Sequence, residues 1–356
     1  MKKTLNKTKI ADFATYIGVV IAFIVMNALM NEGLLTRSMK GQLVPICCYI
    51  VMAVSLNLTV GILGELSLGH AGFMSVGAFT GVVTAMSLQS AIPSDGVRLA
   101  LAIVMGAIFA GIAGTLVGIP VLRLHGDYLA IVTLAFGEII KELINCLIIG
   151  YDENGLHIIF NATGAKTVTD LGLTETGKVL IKGAQGATGT DTIASFTAGF
   201  ILIMVTLVVV LNLARSRSGR ATMALRDNRI AAESVGINVT KYKLMAFVTS
   251  AALAGGAGAL YGLNFSNLVS SKFDFNTSIL ILVFVVLGGL GNMWGSIIAA
   301  AVLTVLPEAL RGFADYRMLI YAIVLIVVML ATNSPQMKAL LSKLVPFGKK
   351  GEKEHA

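Results

Sequence analysis

The sequence predicts an all-α polytopic membrane protein, and three observations carry that expectation. Charged residues make up only 13% of the 356-residue chain, against about 25% in an ordinary soluble protein. Hydrophobic residues make up 56%, leaving too little polar surface to cover two soluble domains. Apolar runs close to the roughly 20 residues that cross a bilayer recur along the whole chain. The same composition excludes disorder, collagen and a disulfide scaffold. Its 38 glycines suit closely packed membrane helices. The net charge of +8 reads as positively charged loops on one side of a membrane. No nucleic-acid motif or basic, aromatic-lined face accompanies it, so no nucleic-acid partner is expected. Cys47, Cys48 and Cys146 have neither CxxC nor metal-site spacing and read as small core residues.

The first element follows four lysines, Lys2, Lys3, Lys7 and Lys9, and runs from about Ala14 to Met30. It lacks a good cleavage site and more apolar spans follow, so it reads as an uncleaved helix with a cytoplasmic N-terminus. Further spans are expected near 43–60, 65–88, 99–122, 127–149, 193–213, 241–263, 277–306 and 318–333. The 277–306 run is too long for one untilted helix. Gly288-Gly289-Leu290-Gly291-Asn292-Met293-Trp294-Gly295 lies in its middle and should break it.

Loop charge sets the expected sidedness. Residues 214–243 carry Arg215, Arg217, Arg220, Arg226, Arg229, Lys241 and Lys243 against Asp227 and Glu233, which predicts a cytoplasmic loop. Residues 150–192 carry five acids against three lysines and read as external. The tail 334–356 is lysine-rich and reads as cytoplasmic. The expected organisation is one transmembrane domain over 1–356. It comprises a first helical half (1–149), the external loop (150–192), a second half (193–333) with its cytoplasmic loop at 214–240, and the tail. Two cytoplasmic termini need an even number of crossings. Splitting 277–306 gives ten, five on each side of the external loop, and an odd number per half makes an inverted five-plus-five repeat. In the first half the glycine-interrupted stretch Gly61 to Gly81 takes the corresponding third position. A re-entrant segment would give eight instead, so hydropathy leaves eight to ten open.

Three constellations stand out. The first, Asn57 to Phe73, sets Gly61, Gly64, Glu65, Ser67, Gly69, His70 and Gly72 within an apolar run. Broken backbone at membrane depth is tolerated only where protein or a water-filled cavity covers it, and ionisable groups there mark a pathway or an internal pair. The segment reads as the lining or gate of a pathway, or as close helix packing with His70 satisfied by a backbone carbonyl. The second is Glu138, Lys141 and Glu142, whose spacing puts them on one helical face. That face is a structural ion pair or part of a pathway. The third is the 214–240 loop. Asp227 and Asn228 can begin a short helix through Ile230-Ala231-Ala232-Glu233, and Gly236 can end it. Such a helix docks a soluble partner or lies on lipid headgroups. Gly172-Leu-Thr-Glu-Thr-Gly177-Lys178-Val179 imitates a phosphate-binding loop. It puts Val179 where a Mg²⁺-binding hydroxyl belongs, and no apolar strand leads into it. No enzyme motif is present, and neither a catalytic residue nor a metal or cofactor ligand is expected.

Leu225-Arg226-Asp227-Asn228-Arg229-Ile230-Ala231-Ala232-Glu233-Ser234-Val235-Gly236-Ile237-Asn238 resembles a specific family, as do Lys243 to Phe247 and Ala251 to Tyr261. That family is the LivM-type permease subunits of branched-chain amino acid ABC transporters. Leu66 to Phe73, Gly126 to Glu138 and Leu287 to Gly295 agree with it, so the resemblance runs from about residue 40 to 333. It implies an ABC importer permease fold in the bacterial plasma (inner) membrane. It implies a pathway shared with a second, LivH-like permease, two separate ATP-binding subunits that hold ATP and Mg, and an extracytoplasmic substrate-binding protein. The ATPase-coupling helix would lie at 224–238, with Leu225, Arg226, Asp227, Asn228, Ala231, Ala232, Glu233 and Gly236. The family's Glu-Ala-Ala-x3-Gly signature is reordered here as Ala231-Ala232-Glu233 and Gly236. Glu65, Ser67, Gly69, His70, Gly72, Glu138, Gly288, Gly289 and Gly291 are the candidates for the pathway or its gate. Two alternatives stand beside this reading. One is an ABC permease for another small solute such as urea, a sugar or another amino acid. The other is a proton-coupled secondary transporter.

Overall fold

A computed structural model describes residues 2–33, 36–124, 126–152, 155–161, 168–173, 177–310, 322–323 and 326. The tail 334–356 lies outside the described residues, as does almost all of the span expected at 318–333. Two units are present, residues 1–301 and 302–356, and the first contains all the packing described below.

Helix α1 covers Lys2–Asn31, α2 Arg37–Asn57, α3 His70–Ser87, α4 Asp95–Val121 and α5 Asp127–Asn145. After an intervening sheet come α6 (Phe196–Arg215), α7 (Arg217–Asp227), α8 (Arg229–Ser234) and α9 (Val239–Gly262), then α10 (Phe275–Gly288) and α11 (Met293–Ala309). Among the described residues five helical stretches are long and apolar enough to cross a membrane: Phe13–Asn31, Arg37–Leu63, Asp95–Val121, Phe196–Arg215 and Val239–Gly262. Shorter apolar helices occupy Phe275–Gly288 and Met293–Ala309. The chain is a multi-pass membrane protein.

The starts of several helices are written in side chains that accept from the first-turn amides. Thr36 caps α2 through Met39 N–H (3.4 Å), Ser195 caps α6 through Ala198 (3.3 Å), and Ser216 caps α7 through Gly219 (3.0 Å). Within the first unit, α2, α3, α4 and α9 form the centre. Small residues bring their backbones together. A methyl group added at Gly77 of α3 would land on the Gly255 carbonyl of α9, and one at Gly255 would meet Ala110 and Gly106 of α4. Lipid provides little hydrophobic drive between helices, so such close approach supplies the packing. By contrast α4 and α6 leave Val104, Ile112, Leu116, Ile201 and Val205 exposed, the expected surface for acyl chains.

The structure departs from the sequence reading in two places and agrees with it in a third. The expected spans near 43–60 and 65–88 are divided differently. Helix α2 continues past Asn57 into a π-helical turn, Leu58–Leu63, that ends at Gly64 with φ 80°. The break therefore lies between α2 and α3, and α3 runs unbroken through Gly72, Gly77 and Gly81. The span expected to reach 149 stops at Asn145. There the chain turns into an antiparallel sheet of β1 (Leu147–Asp152), β2 (Gly155–Phe160), β3 (Lys178–Lys182), β4 (Ala187–Thr188) and β5 (Asn267–Leu268), in the order β2-β1-β3-β4-β5. The fold is thus mostly helical rather than all-α. Leu147-Ile148-Ile149 is apolar and abuts α5, so its hydropathy merges with the helix although β-branched residues suit a strand. Of the phosphate-loop imitation, Lys178 and Val179 open strand β3, where a phosphate loop would open a helix. Finally, 277–306 is two helices, as its glycines predict, with Gly289 (φ 93°) and Gly291 (φ 79°) in the break.

Candidate functional site

The two breaks meet each other. Asn57, at the end of α2, uses its whole amide across the contact. Its Oδ1 accepts from the Gly291 N–H (2.8 Å), while Nδ2 donates to Ser296 Oγ (2.9 Å) and to the Asn292 carbonyl (3.2 Å). Asn57 thereby satisfies polar groups that the α10–α11 break leaves exposed in an apolar setting. Gly61 sits directly against Gly291, and a Cβ there would strike its backbone nitrogen. Gly288 packs on Gly295 and Ser296 in the same way, across the break.

The segment leaving the π turn is held from three sides. Arg226, at the end of α7, donates through Nη1 to the Gly61 carbonyl (2.8 Å), and its stem lies over Gly64. Glu65 forms a largely buried ion pair with Lys243 of α9. The Leu68 N–H donates to Thr133 Oγ1 of α5 (3.1 Å), and Gly69 lies on the Thr133 carbonyl. Gly72 packs on Gly137 of the same helix. The hydroxyls of Thr59 and Ser67 are buried and find no hydrogen-bond partner among the described residues.

His70 is apart from this contact. It is 2% exposed, its Nε2 is 2.9 Å from Ser55 Oγ, and its ring meets Phe73 edge-on. Ser55 Oγ also lies 2.9 Å from the Met52 carbonyl, so it stands between that carbonyl and the imidazole. The imidazole is satisfied by a hydroxyl rather than by a backbone carbonyl.

On α5, Lys141 pairs with Glu138 and stands 3.8 Å from Glu142. The Glu138 side chain is 38% exposed and that of Glu142 64%. Close by in sequence to the next helix, Asp274 caps α10. Its Oδ1 accepts from Thr277 N–H (2.9 Å) and its Oδ2 from Asn276 Nδ2 (2.9 Å). Burial alone would raise its pKa; these hydrogen bonds and the Lys141 ammonium outweigh burial and hold it below the usual carboxylate value.

The 214–240 segment holds two helices rather than one. α7 ends at Asp227, and Asn228 starts α8 by accepting from the Ala231 N–H (3.0 Å). The extended backbone of Asn228 separates the two. Gly236 (φ 83°) then ends the turn, with Ile237 N–H on the Ala232 carbonyl (3.1 Å). Leu225 and Ala232 are buried, so they brace these helices from beneath. Arg226 is half-exposed and reaches back with Nη1 to the Gly61 carbonyl. Outward-facing groups are Ile230 (80% exposed), Val235 (75%), Ala231 and Gly236, beside an Arg229–Glu233 pair of 2.9 Å.

Of the predicted residues, Glu65, Gly288, Gly289, Gly291 and Arg226 converge on the meeting of the breaks, and Gly69 and Gly72 face α5. Asn57 and Lys243 were missed. Their signal was present: each is polar within or at the edge of an apolar span. Among the described residues no three His, Cys, Asp or Glu side chains gather as metal ligands.

Residues 38–330 match the family described as branched-chain amino acid transport system, permease component. The chain is 35% identical over 293 residues to the high-affinity branched-chain amino acid transport system permease protein LivM of Escherichia coli K12, covering 79% of this chain and 66% of the relative. The chain thus spans just under two thirds of that relative's length. It is 22% identical over 289 residues to the LivH permease protein of Salmonella typhimurium, covering 79% and 88%. It is 31% identical over 123 residues to the ribose import permease protein RbsC of Haemophilus influenzae, covering 32% and 38%. No solved structure matches it significantly. The chain belongs to the branched-chain amino acid transport permease family.

Proposed function

We propose, with that family membership as premise, that this chain is a permease subunit of an ATP-driven importer of leucine, isoleucine and valine in the bacterial inner membrane. It would form one side of a pathway whose other side is a second, LivH-like permease. Two ATP-binding subunits would hold ATP and Mg and dock on the face that carries α8. A binding protein would deliver the amino acid from the opposite face. Both termini would be cytoplasmic. The count would be eight to ten crossings, arranged as an inverted five-plus-five repeat.

The observation that carries this reading is α8. A one-and-a-half-turn helix, capped at Asn228 and closed at Gly236, presents Ile230 and Val235 to solvent within the most basic loop of the chain. Two exposed aliphatic side chains on a short, rigid knob suit insertion into a groove of a soluble subunit. Ala231, Glu233 and Gly236 would complete the contact, with Asp227 and Asn228 at its start and Ala232 supporting it.

A second observation supports the position of the pathway. Glu138 and Glu142 are partly exposed on α5, and lipid is a costly neighbour for a carboxylate. That face would turn toward the second permease and the aqueous route between them. The Glu65–Gly72 segment and the Gly288–Gly291 break would form its gate, where the unpartnered hydroxyls of Thr59 and Ser67 could meet water or solute once the segment moves. His70, enclosed by Ser55 and Phe73, would steady the start of α3 behind the gate.

Competition in a reconstituted system tests the cargo. The four kinds of subunit would be placed in proteoliposomes and given labelled leucine through the binding protein. Isoleucine and valine should compete, whereas urea, ribose and acidic amino acids should not. Competition by ribose or urea would move the assignment to another small solute.

A further inference from the structure

The contact between Arg226 and the π turn does something that docking alone does not require. A helix end leaves carbonyls without intrahelical partners, and the helix dipole makes that end negative. The π turn at Leu58–Leu63 ends at Gly64 in just this way. Its Gly61 carbonyl is taken by Nη1 of Arg226 at 2.8 Å. The same guanidinium is gripped from the other side by Asp227, whose Oδ1 accepts from Nε (3.3 Å) and from Nη2 (3.2 Å). Asp227 is the last residue of α7, one position before the Asn228 cap of α8. Gly61 in turn lies on Gly291, and Asn57, one residue before the π turn, binds the Gly291 N–H. A continuous run of contacts therefore joins α8, Asp227, Arg226, the π turn and the α10–α11 break.

We infer that Arg226 is a positioning residue that transmits movement of the α7–α8 junction to the two broken elements, and is not itself a docking contact. This rests on the reading of α8 as the place where an ATP-binding subunit docks. Three features fit transmission. The Arg226 side chain is 41% exposed, but its Nη1 is committed to the Gly61 carbonyl, while Ile230 and Val235 face out. The π turn is an irregular hydrogen-bond pattern, one that can slide toward an α-helical register more readily than a regular helix can break. The glycines at 61 and 291 allow backbone-to-backbone contact, so displacement of one element displaces the other without a compliant side chain between them. The planar fork of arginine suits the role, because it can hold a carboxylate and a carbonyl at once in fixed geometry.

The test uses the full complex in proteoliposomes and reads two quantities: retention of the ATP-binding subunits on purification, and leucine transported per ATP hydrolysed. Arg226→Ala is expected to retain the subunits and to lower leucine per ATP by roughly tenfold, the loss of one charge-assisted hydrogen bond. Arg226→Lys keeps a donor for Gly61 but cannot also hold Asp227, so it should recover part of the ratio. Asp227→Asn alters an exposed side chain without disturbing the core, and should lower the ratio severalfold even if Arg226→Ala accumulates poorly. Leu207→Ala, a fully buried position of α6 away from the α7–α8 junction, serves as the structural control: it should lower thermal stability and leave the ratio unchanged. An unchanged ratio in Arg226→Ala and Asp227→Asn would overturn the inference. So would loss of the ATP-binding subunits from Arg226→Ala, since that would make Arg226 a docking contact. Failure of the docking reading is seen separately, as normal co-purification of the ATP-binding subunits with the Ile230→Asp and Val235→Asp variants.

Discussion

Lys243 is buried and Glu65 half-buried where the chain leaves the π turn, and each neutralises the other. Removing one partner of a buried pair leaves an uncompensated charge, which costs about 3 kcal/mol or more. Lys243→Ala should therefore lower the melting temperature of the detergent-purified protein substantially, and Glu65→Gln combined with Lys243→Met should restore much of it. Equal destabilisation by the single and double variants would show that the pair contributes nothing. Asp274 gives a pH-dependent case. Its carboxyl is held below the usual range, so the charged cap stabilises α10 above that range and its contribution is lost as pH falls through the lowered pKa. Asp274→Ala should cost about 1 kcal/mol near neutrality. The difference from the unaltered protein should shrink only below about pH 4, and a difference that shrank between pH 7 and 5 would contradict the cap assignment. At this scale the sequence was legible by type more than by partner. Glu65 was recognisable as a charge needing a partner at membrane depth, but nothing in the order of residues said that Lys243, far along the chain, supplies it.

Elements were legible where a single residue type dictates backbone. Glycines at 289 and 291 announced the break between α10 and α11, because both require positive φ. Gly236 announced the end of α8 for the same reason. The π turn was hidden, because Leu58 to Leu63 is as apolar as the helix before it and only its hydrogen bonding differs. The strands were hidden by apolar continuity with α5. Asn228 was legible as the start of the short helix that Gly236 ends, whereas the coupling helix that the resemblance implies at 224–238 is divided by it into α7 and α8; an asparagine cap looks alike whether the residues before it are loop or helix. That division isolates α8 as a separate knob, and it yields a prediction. Ile230→Asp and Val235→Asp place charges on exposed positions that support no packing. They should leave the amount of protein in the membrane unchanged while ATP-binding subunits no longer co-purify. Normal co-purification would remove α8 from the interface.

The whole molecule was legible as a membrane-spanning permease, because composition and repeated apolar spans report class and several dispersed motifs report family. Residues 38–330 carry the family match. The number of crossings was not legible. Helices such as α3 and α5 are short or charged, and length with hydropathy does not separate a crossing from a re-entrant segment. In the proposed importer, energy enters through ATP on the face that carries α8, and the chain itself provides a route. The most direct measurement is uptake of labelled leucine by the complete complex in proteoliposomes, with ATP supplied only on that face and the loaded binding protein only on the other. The account predicts leucine accumulation that requires both. Accumulation driven by a proton gradient without ATP, by this chain alone, would contradict it.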